Sequence, residues 1–179
     1  MTPCPHASLP LRDPEDPSAL LAVIEASRGS VNKLKFDPVL GVFKLDGVLA
    51  AGHAFPLDFG FLPRTLGADG DPLDVLVIQD EAVPPGTVVP CRLLGVIEAT
   101  QRPAHVRRAV RNDRLVAVAI KSRRHGHCRT LADVPASLLD DVEHFFVSFN
   151  AAKGGTFRVL RRAGPAVARA LVRAGEVAA

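Results

Sequence analysis

Tryptophan and tyrosine are both absent from this chain of 179 residues, and nine phenylalanines supply all of its aromatic side chains. Proteins that bind single-stranded nucleic acids commonly stack the bases on exposed aromatic rings, so the chain lacks the usual residues for such a platform. Its net charge of +3 and pI near 9.0 are also modest for a nucleic-acid-binding protein. Nucleic acid is therefore a weak candidate partner.

Cysteine is scarce as well. Cys4, Cys91 and Cys128 are odd in number and widely spaced, which excludes a typical disulfide framework or zinc ribbon and favours reduced thiols. The segment 125–128, His-Gly-His-Cys, packs its possible ligands into one short loop. Structural zinc usually draws ligands from two separated pairs, so this segment is a poor zinc candidate.

Long hydrophobic runs are missing too. The longest apolar stretches are far below the roughly 20 residues that cross a bilayer, and the first 17 residues are rich in proline without the apolar core of a signal peptide. We expect a cytoplasmic protein that does not contact membranes. Residues 1–17 are predicted to form a loose N-terminal extension, and residues 18–179 a single domain with 47% hydrophobic residues over the whole chain.

Short apolar or alternating runs, separated by Gly, Pro and Asp, predict a mainly β structure. The predicted strands are residues 20–26, 32–37, 41–46, 55–62, 73–79, 87–99 and 115–121. Helical patterns come late: one begins at Pro135 and repeats apolar residues through Phe145, Phe146 and Phe149, and a second begins at Gly164-Pro165. The fold class is therefore α+β, mainly β, with two C-terminal helices.

An acidic cluster, Asp69-Gly70-Asp71-Pro72-Leu73-Asp74, precedes the apolar run Val75–Ile78. Three neighbouring carboxylates repel one another unless a proton or a cation neutralises them, and oxygen ligands suit Mg²⁺ or Mn²⁺. The alternative is a solvated turn, because Asp, Gly and Pro are turn formers. Asp74 favours the metal site, since a charge at the mouth of an apolar strand is costly when it is unpaired.

The order Asp-x-Asp-Pro-x-Asp-Val resembles the signature of the family I soluble inorganic pyrophosphatases. The resemblance extends over about residues 22–163 and includes other segments: Ile24-Glu25, Arg28–Lys33, Phe55–Leu62, Pro85–Val89, Leu115–Val118, Asp133–Pro135 and His144–Phe146.

This resemblance implies an OB-like β-barrel that hydrolyses pyrophosphate with Mg²⁺ or Mn²⁺. Asp71 would be the general base that takes a proton from the attacking water, and Asp69, Asp71 and Asp74 would hold the metal. Lys33 would contact substrate phosphate, and Arg114 stands where the family has a phosphate-binding lysine. Bacterial members of this size usually form hexamers, so a homo-oligomer is implied too.

Several positions depart from the family pattern. Lys35 replaces a glutamate, and the further departures are at Gly47, Phe59, Gln101, Asn112, Phe149 and Asn150. Asp113 is one place out of register with an expected acid. Two hypotheses follow: a divergent pyrophosphatase with reduced activity, or a catalytically degenerate relative that binds another phosphorylated ligand or a protein partner.

Basic residues are concentrated between Arg102 and Arg129, where Asp113 is the one acid. Clustered arginines can bind nucleic-acid phosphates, but charge runs are more often solvated faces. The second interpretation, an exposed basic hairpin, is the one that the composition favours.

Overall fold

Nine strands, two α-helices and one 3₁₀ helix (Leu131–Asp133) make up the computed structural model, which describes residues 9–177. The strands are β1 (Leu20–Ala26), β2 (Asn32–Asp37), β3 (Val42–Val48), β4 (Asp58–Phe61), β5 (Asp74–Ile78), β6 (Val88–Arg102), β7 (Val110–Arg111), β8 (Arg114–Ala119) and β9 (Thr156–Ala163). The helices are α1 (Ala136–Ala152) and α2 (Pro165–Gly175). The fold is thus α+β and mainly β, as the sequence predicts.

Five strands close into a barrel in the order β1-β4-β5-β8-β6, because β6 also pairs with β1. Neighbouring strands are antiparallel except β5 and β8, which are parallel. Closure pairs strand edges that would otherwise be exposed. The OB-like barrel with two C-terminal helices is therefore confirmed.

Residues of the barrel strands alternate between two hydrophobic cores, as the period of two in a strand requires. On β5, Leu76 and Ile78 join the core that contains Phe145 and Phe146 of α1. Val75 and Val77 join the other core, which contains Ala168 and Val172 of α2. Burial on both faces explains why this strand is a continuous apolar run.

Both helices begin where the sequence predicts. Pro135 is the N-cap of α1, and Gly164 precedes Pro165 at the first position of α2, where proline's missing N–H costs nothing. The rings of Phe145 and Phe146 are 5.2 Å apart and buried, which confirms them as core residues.

Three parts of the fold differ from the sequence prediction. Strands β7 and β9 were not predicted, and β9 pairs antiparallel with β6 over Val96–Arg102. Leu11 is buried and Arg12 forms a β-bridge with Leu20, so the predicted loose extension is wrong at these two residues. Residues 1–8 of that extension lie outside the described range.

The β2–β3 hairpin forms a separate two-stranded sheet beside the barrel. The Phe36 N–H of β2 donates to Glu25 Oε1 of β1 at 2.7 Å, and the Phe36 ring stacks on Phe61 of β4 with centroids 6.3 Å apart. These contacts fix β2 against the barrel, and β2 carries both Lys33 and Lys35.

Cys91 and Cys128 are free and buried, in agreement with the expected reduced thiols, while Cys4 lies outside the described residues. Within residues 9–177, neither helix has the length and apolar character that a membrane-crossing segment needs.

Gly60 of β4 packs against the β1 backbone and leaves no space for a side chain. A Cβ built at this position would lie 1.9 Å from the Val23 carbonyl oxygen, whereas one at Gly47 would meet nothing within 4 Å. We expect Gly60→Ala to lower the free energy of unfolding by at least about 2 kcal/mol, because backbone must shift to admit the methyl group. Urea unfolding followed by circular dichroism measures this, with Gly47→Ala as the control. Equal midpoints for the two variants would contradict the packing described.

Candidate active site

A cavity of about 580 Å³ opens where the β2–β3 hairpin meets β5, β8 and α1. All five predicted site residues line it: Lys33, Asp69, Asp71, Asp74 and Arg114. Glu25, Lys35 and Lys153 also line it and were not among the predicted site residues. The structure thus gathers a dense set of opposite charges in one place.

The acidic cluster, residues 69–74, includes a turn in the structure. Gly70 has a φ of +87°, which favours glycine, and the Gly67 N–H donates to the Asp71 carbonyl at 2.7 Å. The Asp71 N–H donates to Asp69 Oδ1 at 3.2 Å. Asp69 and Asp71 are exposed at the tip, whereas Asp74 opens β5.

Asp74 and Arg114 form an ion pair of 2.6 Å at the same end of two parallel strands. The register pairs Val75 with Leu115, so the residues immediately before them are also neighbours. Burial raises the pKa of Asp74, and the Arg114 guanidinium opposes that change. The negative charge of Asp74 is therefore neutralised by Arg114 rather than by solvent.

Arg114 is 4% exposed, and both of its terminal nitrogens have polar partners, whereas its Nε is buried without a hydrogen-bond partner. Its guanidinium carbon lies 4.6 Å from the centre of the Phe146 ring and 5.2 Å from that of Phe157, a cation–π arrangement on both. The side-chain oxygens of Asn112 and Gln101 accept hydrogen bonds from it. The side-chain amides of Asn112 and Gln101 thus occupy positions at which the family resemblance implies carboxylates. In this chain both amides accept hydrogen bonds from Arg114.

The backbone carbonyl of Asp113 accepts a hydrogen bond from Arg114 at 3.1 Å, but its side chain bonds outside this network. Its Oδ1 accepts hydrogen bonds from the Ala99 N–H at 2.8 Å and from Arg111 Nε at 2.5 Å. Its carboxylate therefore fixes β6 and β7 instead of supplying the missing acid to the cavity.

Lys35 covers Asp71. Its Nζ lies 2.9 Å from Oδ1 and 3.0 Å from Oδ2 of that carboxylate, and this hydrogen bond raises the pKa of Lys35. Lys33 forms an ion pair with Asp46 of β3 through one carboxylate oxygen, Oδ2. Within residues 9–177, no lysine or arginine forms an ion pair with Asp69.

The donor set of the cavity suits a hard divalent cation, because carboxylate oxygens are the ligands that Mg²⁺ and Mn²⁺ prefer. In the described part of the chain, however, no three acidic, His or Cys side chains are grouped closely enough to hold an ion. Asp71 faces Lys35 and Asp74 faces Arg114. An ion that takes the positions on Asp71 now held by Lys35 must displace that ammonium group.

Glu25 is one of the charged cavity residues that the sequence did not predict as site residues. Burial raises its pKa from the ordinary value of 4.5 to about 7, opposed by the hydrogen bond from the Phe36 N–H. The available signal was its position as the one charged residue of β1, Leu20–Ala26, whose other six residues are apolar. A carboxyl group in such a strand is a candidate for a special role.

The remaining wall of the cavity is aromatic and lacks hydroxyl groups. Phe55, Phe59 and Phe149 line it, so none of these positions offers a phenol to a ligand. Lys153 Nζ lies 4.2 Å from the centre of the Phe149 ring, and burial, reinforced by Lys33, lowers its pKa. Positive charge at this wall therefore comes from lysine side chains.

Comparisons with known proteins agree with this geometry. The sequence model of the family described as inorganic pyrophosphatase matches residues 22–177. The inorganic pyrophosphatase of Thermus thermophilus is 37% identical over 144 residues, covering 80% of this chain and 78% of the relative. That of a Nostoc species is 39% identical over 133 residues, covering 74% and 75%.

Solved structures agree as well. The crystal structure of the Thermus thermophilus inorganic pyrophosphatase superposes with a TM-score of 0.85 at 35% identity and covers 95% of each chain. The Helicobacter pylori inorganic pyrophosphatase gives a TM-score of 0.84 at 29% identity, with 94% of this chain and 96% of the other covered. The similarity thus covers nearly the whole of this chain.

The raised pKa of Glu25 makes stability depend on pH. Between pH 4.5 and about 7 the unfolded chain loses this proton while the folded chain keeps it, so this group's contribution to stability decreases as pH rises. The full loss, reached above pH 7, is about 3 kcal/mol. We expect Glu25→Gln to lack this loss, so its stability relative to the native chain should increase across that window in urea titrations. The exposed Glu81→Gln is the control, and parallel curves for all three proteins would contradict the assignment.

Removing Arg114 should leave Asp74 without its partner. We expect Arg114→Met to lower the free energy of unfolding by about 3 kcal/mol, because an uncompensated charge stays partly buried. Adding Asp74→Asn should recover part of that loss, and a double-mutant cycle in urea measures the coupling. A coupling near zero would show that the ion pair contributes nothing to folding.

Proposed function

Since the chain belongs to the inorganic pyrophosphatase family, we propose that it hydrolyses pyrophosphate to two phosphate ions with a divalent metal cofactor. The observation that carries this proposal is the convergence of acidic and basic side chains on one cavity. The acidic residues are Glu25, Asp69, Asp71 and Asp74, and the basic residues are Lys33, Lys35, Arg64, Arg114 and Lys153.

In this proposal Asp71 is the general base that accepts the proton of the attacking water. It is exposed at the tip of the turn, where a water could reach its oxygens once Lys35 has moved away. Asp69, Asp71 and Asp74 would hold the metal, which when bound lowers the pKa of a coordinated water and neutralises phosphoryl charge. We propose Mg²⁺, with Mn²⁺ as a substitute, because both prefer oxygen ligands.

Lys33 and Lys153 are proposed to bind the phosphate groups. Each lines the cavity, and the effect of Lys33 on the pKa of Lys153 indicates that their ammonium groups are close enough to repel each other. An anion between them would relieve that repulsion. Arg114 is proposed to act from the floor of the cavity, where its charge attracts substrate while its hydrogen bonds hold Asp74.

Assembly and location are further proposals that rest on the family resemblance. We propose a homo-oligomer, a hexamer in the bacterial pattern, in the cytoplasm. The two free buried cysteines, Cys91 and Cys128, are compatible with a reducing compartment.

Phosphate release from pyrophosphate tests the proposed function. We expect Asp71→Asn to lower kcat at least about 100-fold, because an amide cannot accept the proton of the attacking water. The reaction is followed by malachite-green detection of phosphate with Mg²⁺ and with Mn²⁺. Asp141→Asn is the matched control, since Asp141 is exposed on α1 away from the cavity. Release by the native chain no faster than by Asp71→Asn would remove the enzyme hypothesis.

A further inference from the structure

Lys35 contacts both oxygens of Asp71, at 2.9 and 3.0 Å, and so bridges the carboxylate that the proposed mechanism needs. An ammonium group is a compact cation with three donors, and it occupies the space in front of a carboxylate that a bound cation would use. In the folded chain, Asp71 is therefore already neutralised by a charge from β2.

The two ion pairs of the acidic cluster differ in burial. The side chains of Lys35 and Asp71 are 50% and 55% exposed, whereas Arg114 and Asp74 are 5% and 21% exposed. Exposed pairs contribute little to stability and exchange partners readily, while a buried pair that is also held by amides and aromatic rings does not. Lys35 can leave Asp71, but Arg114 is fixed at Asp74.

We propose that Lys35 is a tethered cation that competes with the divalent metal for Asp71 and so sets the metal concentration that the site requires. The inference rests on the proposed function in one respect, that Asp71 is a metal ligand. As a consequence, the divalent metal would bind first near Asp69 and Asp71. It would do so only after Lys35 has moved away from Asp71.

The hairpin supplies a matched control for this proposal. Lys44 on β3 lies opposite Lys35 in the strand register and forms its own exposed ion pair with Asp37 at 3.3 Å. It does not line the cavity. Replacing either lysine by methionine removes one charge from the same hairpin, but only Lys35→Met uncovers Asp71.

Mn²⁺ titration of the full chain without pyrophosphate, followed by the electron paramagnetic resonance of free Mn²⁺, measures the effect directly. We expect Lys35→Met to tighten the Kd for Mn²⁺ about tenfold, because a like charge beside a doubly charged ion is removed. Lys44→Met should change the Kd less than about twofold. Lys35→Arg, which keeps the charge, should stay near the native value.

An equal Kd for Lys35→Met and Lys44→Met would overturn the proposal, as would the absence of Mn²⁺ uptake by every variant. Thermal melts by circular dichroism check that all four proteins are folded. Phosphate release measured on the same samples separates the two proposals. A Kd shift specific to Lys35→Met without any phosphate release supports the tethered cation and removes the hydrolytic function.

Discussion

The ion pair between Asp74 and Arg114 is the constraint on which the site depends. Both residues begin a barrel strand, and the parallel register of β5 and β8 places them side by side. The pair is stable only because the rest of the fold surrounds it: α1 and β9 each supply an aromatic ring to the guanidinium, and β6 supplies Gln101. The floor of the cavity thus depends on both the closure of the barrel and the packing of α1 against it.

The cavity therefore contains one cationic side chain that is fixed in place and two that can exchange their partners. Arg114 is fixed by burial and by partners on several elements. Lys33 and Lys35 are paired with acids at a more open position, so water, metal or substrate can compete for those contacts. Compared with a site that presents bare carboxylates, this one reduces the repulsion within the acidic turn before any ligand arrives.

Much of the fold could be predicted from local pattern, because β1, β5 and β8 are apolar runs and both helices carry a proline start signal. Strand β9 could not, since only one of the eight residues of its sequence TFRVLRRA is buried and its strand character comes from pairing with β6. At the site, the acidic turn and Lys33 were predicted from the motif. The partners of Asp71 and Asp74 were not, because Lys35 and Arg114 lie 36 and 40 positions away and only the folded register joins them.

The attachment of the β2–β3 hairpin has a mechanical consequence. Lys33 and Lys35 lie on one strand of a sheet separate from the barrel, joined to it through Phe36. A tilt of the hairpin about that contact would shift both ammonium groups together, while the guanidinium embedded in the barrel would stay in place. Release of Asp71 by Lys35 and repositioning of Lys33 would then be a single movement.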